Sequence, residues 1–173
     1  REPTNATEQR HGLDLPIQIY PLFEQALRGR YRHGPAEHRQ MLGELYSRLN
    51  AVAVNNPQAW RREPLSATDI AERTSLNRMV GAPYTKHMNA IIAVDQSAAL
   101  VMMSAARARD LGIDPERWVY PLAAASTHDR WLVSERADLS RSPAITACGE
   151  QLFAASGLAI DDIDYIDLYS CFP

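Results

Sequence analysis

Lysine, cysteine and long apolar runs are scarce in this 173-residue sequence. Lys86 is the single lysine among 18 cationic residues, and the other 17 are arginine. The 21 acidic residues bring the net charge to −3, so a general attraction to nucleic acid or anionic lipid is not expected. No run approaches the roughly 18 apolar residues that a membrane span needs, and residues 1–5 lack the apolar core of a signal peptide.

The two cysteines, Cys148 and Cys171, are too few for a disulfide framework, so a reducing cytoplasm is the expected location. None of the five histidines shares a metal-ligand spacing with either cysteine, and no metal site is predicted. A glycine-rich phosphate loop and a Gly-x-Ser-x-Gly motif are both absent from the sequence. Nothing in these patterns predicts a nucleotide-binding loop or a serine hydrolase.

The sequence pattern of the first half of the chain predicts helices. Apolar residues over 16–28 follow a helical period, which Pro21 interrupts, and a basic turn follows between Gly29 and Gly34. Pro35 suits the first turn of a second helix, which the Asn-Asn-Pro sequence at 55–57 ends. Ser66 is a candidate N-cap for a short third helix.

The second half alternates between strand and helix patterns. Runs 90–94 and 118–125 have strand character, a helix begins at Ser142-Pro143, and a final strand covers 164–169. A strand, a helix and a strand joined this way predict a parallel pair with a right-handed crossover, hence an α/β fold. The predicted domains are a helical region, 1–89, and an α/β segment, 90–173.

Residues 97–111 allow two alternatives. Propensity permits a helix throughout, whereas a buried strand at 100–103 could precede a helix that Ser104 caps and Gly112 ends. The sequence stops directly after the last predicted strand, and a parallel strand needs cover on both faces. We therefore expect this sequence to be completed by the remainder of a longer protein or by another chain.

The end of the last predicted strand holds the best candidates for chemistry, because ligands gather at the carboxyl ends of parallel strands. Cys171 follows that strand, although a buried inert thiol is the alternative. Tyr169 and Ser170 flank the same strand end, where a phenol could stabilise an oxyanion or transfer a proton, or simply pack at the sheet rim. Cys148, on the apolar face of its helix, is interpreted as structural.

Two charged clusters are interpreted mainly as solvated surface. Four aspartates at 161, 162, 164 and 167 could be mistaken for a metal site, but alternating outward carboxylates explain them better. A basic cluster could hold a phosphate-bearing ligand, although a plain surface is the favoured interpretation; its members are Arg28, Arg30, Arg32, His33 and Arg39.

Several stretches, in order, resemble the thiolase superfamily, specifically sterol-carrier-protein-type thiolases and thiolase-like acetyl-CoA acetyltransferases. The stretches are RLNAVAVNN at 48–56, REPL at 62–65, DQSAALV at 95–101 and DDIDYIDLYSCF at 161–172. The resemblance implies a partial αβαβα fold, comprising much of the loop domain and the start of the C-terminal half, with a strand within 97–103. It also implies coenzyme A thioesters as substrates, no covalently bound cofactor, an acyl-cysteine intermediate and a homo-oligomeric parent.

By this resemblance, the nucleophilic cysteine lies before Arg1, and the Gly-His-Pro and Cys-x-Gly motifs lie after Pro173, so the chain alone is expected to be inactive. Cys171 and Phe172 match the last two positions of the family's His-Asp-Cys-Phe motif, whereas Tyr169 and Ser170 replace the first two. Tyr169 would line the oxyanion region, Cys171 would shape the pocket, and Phe172 and Ser170 would contact the substrate.

Three functions follow as hypotheses from that resemblance. The first is an acyltransferase acting on coenzyme A thioesters in lipid metabolism. The second keeps the fold and changes the reaction, because some thiolase relatives are retro-aldolases that use tyrosine, often with a partner protein, and Tyr169 would serve there. The third is a non-catalytic acyl-CoA- or lipid-binding protein on a thiolase scaffold.

Overall fold

The computed structural model describes residues 4–169 and 172. Six α-helices and one two-stranded antiparallel sheet form within those residues, together with short 3-10 helices. The helices are α1 (Ala6–Arg10), α2 (Pro16–Tyr31), α3 (Pro35–Ala53), α4 (Ala67–Ala71), α5 (Ala105–Asp110) and α6 (Pro143–Ser156), and the strands are β1 (Met79–Gly81) and β2 (Tyr84–Thr85).

The helix boundaries follow local capping signals. Proline occupies the first turn of α3, and Ser66 accepts a hydrogen bond from the Asp69 backbone at the start of α4. Ser142 likewise caps α6, which ends at Gly157 in the left-handed conformation at φ 72°. Ser104 caps α5, so the second of the two alternatives for this region describes its helix. Each of these helices was expected from the sequence.

Pro21 does not interrupt α2, contrary to the sequence expectation. The helix continues to Tyr31, and the chain turns only at Arg32, whose backbone is left-handed at φ 58°. A proline inside a helix removes one hydrogen bond, but tertiary packing of the helix can offset that cost. The turn expected between Gly29 and Gly34 is therefore shorter, because Arg30 and Tyr31 are helical.

The parallel pair expected from the second half is not formed among the described residues. Segments 90–94, 100–103, 118–125 and 164–169 have no ladder partners there, and the two-stranded sheet at 79–85 was not expected. A strand exists only where a neighbour supplies its backbone hydrogen bonds. Their apolar side chains are open to solvent, as Ile92 (98% exposed), Val119 (90%) and Leu168 (83%) show.

The total accessible surface quantifies this openness. It is 13576 Å², compared with roughly 8,500 Å² for a compact monomer of this mass. The buried core lies within α3, α4, β2 and the 3-10 helix Lys86–Met88, and contains Leu42, Ile70, Ala71, Tyr84 and Met88. Among the helices of the described residues, none is long and apolar enough to cross a membrane.

Candidate functional site

Phe172 connects the end of the chain to helix α2 and strand β2. Its ring stacks on Tyr20 of α2 with centroids 4.4 Å apart, and tilts against Tyr84 of β2 at 5.2 Å. Tyr20 and Tyr84 both line an open cavity of about 630 Å³. The residue expected to contact substrate thus lies between two side chains of a cavity wall.

Tyr169 is 89% exposed and lies three residues before Phe172 in the sequence. Three residues span at most about 11 Å, so Tyr169 lies within that distance of the aromatic contact, measured along the backbone. Ser170 and Cys171, the other two candidates, lie outside the described residues. The roles assigned to all four side chains stay predictions.

Apolar side chains form most of the cavity, and charged groups occur around it. Helix α2 contributes Ile19, Phe23 and Leu27, and the segment before α6 contributes Trp131 and Val133. A mainly apolar cavity with a few placed polar groups, in the size range of this one, is typical of small-molecule sites. The wall residues come from elements far apart in sequence, which explains why periodicity alone did not indicate the cavity.

A buried polar network includes two residues of this wall, Glu24 and Tyr84. The Glu24 carboxylate accepts a hydrogen bond from the Tyr84 hydroxyl at 2.8 Å and lies 2.7 Å from Nε2 of His38. Glu24, His38 and Tyr84 are all at most 3% exposed. His38 Nδ1 in turn lies 3.4 Å from Nδ1 of the half-buried His33. Burial raises the pKa of the Tyr84 hydroxyl far above its usual value, and the neighbouring Glu24 carboxylate adds to that rise.

The sequence interpretation missed this network, although one signal was available. Glu24 is four residues after Tyr20 and three before Leu27, so an acidic residue occupies the apolar face of α2. His38 is likewise four residues before the buried Leu42 of α3. A polar residue at the helical spacing of an apolar face indicates a buried polar contact, because burying a polar group requires a hydrogen-bonding partner.

The other sequence candidates make ordinary structural contacts. Cys148 is a half-buried free thiol in α6. Arg28 donates to the His33 backbone carbonyl, Arg30 donates to that of Ser140, and Arg39 lies 3.9 Å from Glu72. These three arginines of the basic cluster therefore have partners within the protein. Across residues 4–169 and 172, no group of three or more His, Cys, Asp or Glu side chains comes together as a metal site would require.

Comparisons with known proteins agree with the thiolase resemblance. No family model matches the chain. A curated protein from Thermomonospora curvata, described as a steroid side-chain-cleaving aldolase, is 28% identical over 164 residues, which cover 93% of this chain and 39% of the aldolase. The crystal structure of a monomeric SCP2-thiolase-like protein type 1 from Mycobacterium smegmatis superposes with a TM-score of 0.87 at 36% identity.

That superposition covers 98% of this chain and 37% of the solved one, so the chain spans less than two fifths of either relative's length. A segment of a larger fold leaves its apolar strand segments exposed when it is taken by itself, as segments 90–94 and 164–169 are here. These comparisons confirm the resemblance to the thiolase superfamily. The chain has a partial thiolase-like fold, similar to the matching part of the SCP2-thiolase-like protein.

Proposed function

We propose that this chain is part of a thiolase-fold enzyme that cleaves a carbon–carbon bond next to a coenzyme A thioester by a retro-aldol reaction. The observation that carries the proposal is the attachment of Phe172 to the cavity wall through Tyr20 and Tyr84. That contact keeps Phe172 beside a cavity of ligand size. Tyr169, three residues earlier in the chain, is the residue to which we assign the chemistry.

The retro-aldol reaction is favoured over acyl transfer for two reasons. The curated relative is itself described as an aldolase, and this chain has Tyr169 where thiolases have asparagine or histidine. A phenol can hold and release a proton at its oxygen, which an asparagine amide does not do. The acetyltransferase hypothesis has no comparable support from these comparisons.

The proposed step balances as follows. A base removes the proton from the β-hydroxyl of a 3-hydroxyacyl thioester, the bond between the α and β carbons breaks, and a carbonyl product leaves. The electron pair of that bond forms the thioester enolate, which takes up one proton at the α carbon. Tyr169 would hold one of the two protons at its phenol oxygen, and no external oxidant or reductant is needed.

The experiment uses the full-length protein and 3-hydroxyacyl-CoA substrates. We expect release of an aldehyde or ketone together with the shortened acyl-CoA, and a loss of about 10²- to 10⁴-fold in kcat for Tyr169→Phe. Tyr165→Phe is the matched control, because Tyr165 is similarly exposed and lies four residues earlier in the same segment. Unchanged turnover in Tyr169→Phe would contradict the assigned role.

The other two hypotheses give different results in the same assay. Cleavage of acetoacetyl-CoA that depends on free coenzyme A, with no cleavage of hydroxyacyl substrates, would identify an acyltransferase. Saturable binding of acyl-CoA without turnover would identify a binding protein. Either result would overturn the retro-aldol proposal.

A further inference from the structure

Four side chains beside the proposed site are linked by three contacts and one shared helix face. Tyr20 and Glu24 are four residues apart on α2 and therefore lie on one face of that helix. Glu24 accepts a hydrogen bond from the Tyr84 hydroxyl, the Tyr84 ring contacts Phe172, and the Phe172 ring stacks on Tyr20. We call these four residues the aromatic clamp.

From this geometry we propose that Glu24 and His38 are positioning residues, which orient the Tyr84 ring and through it fix Phe172 beside the cavity. This inference rests on the proposed function only for its effect on turnover. Neither Glu24 nor His38 is assigned contact with substrate.

The hydrogen bond from Tyr84 to Glu24 fixes the direction of the long axis of the phenol ring, because the hydroxyl oxygen lies on that axis. His38 Nε2, at 2.7 Å on the other carboxylate oxygen, holds Glu24 from the opposite side. Every buried side-chain nitrogen or oxygen in the described part of the chain has a hydrogen-bond partner. Both oxygens of Glu24 are therefore committed, and the carboxylate has little freedom to rotate.

Stability alone is a weak explanation for this network. Replacing both partners of a buried hydrogen bond by apolar side chains of the same shape can be nearly neutral or stabilising, so burial of Glu24 and His38 points to a requirement for defined geometry. The Tyr84 hydroxyl has a raised pKa, stays protonated at ordinary pH and remains a donor to Glu24. Ring pairs at the distances found in the clamp contribute modest energy but a defined orientation.

The first experiment is a kinetic double-mutant cycle in the full-length protein. We expect Tyr84→Phe, which keeps the ring and loses the hydroxyl, and Glu24→Gln each to lower kcat about tenfold to a hundredfold, with KM changed less than about twofold. In a Phe172→Leu background the same changes should have little further effect on kcat, because that substitution already removes the ring contacts with Tyr20 and Tyr84. Equal losses in both backgrounds would overturn the proposal.

The second experiment does not depend on turnover. With 4-fluorophenylalanine incorporated, the ¹⁹F signal of Phe172 is assigned by its disappearance in Phe172→Leu. It should shift or broaden in Glu24→Gln and Tyr84→Phe, whereas Tyr31→Phe, a half-exposed tyrosine at the end of the same helix, should leave it unchanged.

An unmoved Phe172 signal in both clamp variants would overturn the positioning role, whatever the kinetics. If the signal moves but the wild-type protein cleaves no hydroxyacyl-CoA, the positioning role is supported and the proposed function fails. The two proposals are therefore separable.

Discussion

Glu8 and Ser134 are joined across 126 residues of sequence, since the Ser134 backbone N–H donates to Oε1 of Glu8 at 2.8 Å. The other oxygen, Oε2, accepts the Asn5 backbone N–H at the start of α1. These hydrogen bonds hold the pKa of the buried Glu8 carboxyl below its usual value, with the bond from Ser134 making the largest contribution. One carboxylate thus connects the N-terminal helix to the segment that contributes Trp131 and Val133 to the cavity wall.

We predict that Glu8 makes folding sensitive to acid. Because its pKa is lower when folded than when unfolded, the stabilisation is fully present above the unfolded value of about 4.3. It is lost as the pH falls through the folded value. As the pH is lowered, the free energy of unfolding should decrease less in Glu8→Gln than in the wild type. Urea unfolding at a series of pH values measures this difference.

The control for this prediction is Glu135→Gln, which removes the exposed carboxylate of the residue directly after Ser134. Its decline with acid should match the wild type. Equal acid sensitivity in Glu8→Gln and the wild type would show that the link to Ser134 contributes no pH dependence.

A second prediction concerns the close approach of α3 and α4. A Cβ atom built on Gly43 would lie 2.6 Å from the Ala67 carbonyl oxygen and 2.9 Å from the Ala71 Cβ. Gly43→Ala must therefore push the two helices apart, and we expect a loss of about 1 to 3 kcal/mol in the free energy of unfolding. Urea unfolding of the full-length protein measures it.

The matched control is Gly29→Ala, at an exposed helical position where a Cβ would meet no atom within 4 Å. Alanine has a higher helix propensity than glycine, so this change should stabilise by up to about 1 kcal/mol. If both glycine variants were stabilised, the α3–α4 contact would be looser than the structure indicates.

The contrast between helices and strands shows how much of the fold was accessible from sequence. Helices α3 and α6 were predictable because their start signals, Pro35 and Ser142-Pro143, act within one turn. The segments at 118–125 and 164–169 have strand composition, but their backbone partners are not among the described residues. Composition can indicate a strand, whereas only a neighbouring chain segment can form the ladder.

The candidate site divides in a similar way. Tyr169 and Phe172 were found through resemblance of a contiguous stretch, and the Phe172 contacts agree with a cavity nearby. The clamp residues Glu24 and Tyr84 are 60 residues apart, and no local spacing relates them. Their association depends on α2 packing beside β1 and β2, which no sequence pattern in this chain specified.

The third prediction concerns Asn77, which lies under the end of α4 and is 1% exposed. Its side-chain nitrogen donates to three backbone carbonyls at 2.9 to 3.0 Å, those of Asp69, Ile70 and Glu72. Its side-chain oxygen accepts the backbone N–H of His87 at 2.9 Å. One amide therefore satisfies the C-terminal carbonyls of α4 and joins that helix to the 3-10 helix Lys86–Met88.

Asn77→Asp replaces the donating nitrogen with a second oxygen, which faces those three carbonyls. The variant must either bury a charge against three acceptors or stay protonated with a single donor, and we expect a loss of about 3 kcal/mol or more in the free energy of unfolding. Asn56→Asp is the matched control, because the exposed Asn56 only accepts a backbone hydrogen bond from Gln58, as aspartate also does. That change should stay within about 0.5 kcal/mol. Equal unfolding energies for the two variants would show that the amide nitrogen of Asn77 does not hold the end of α4.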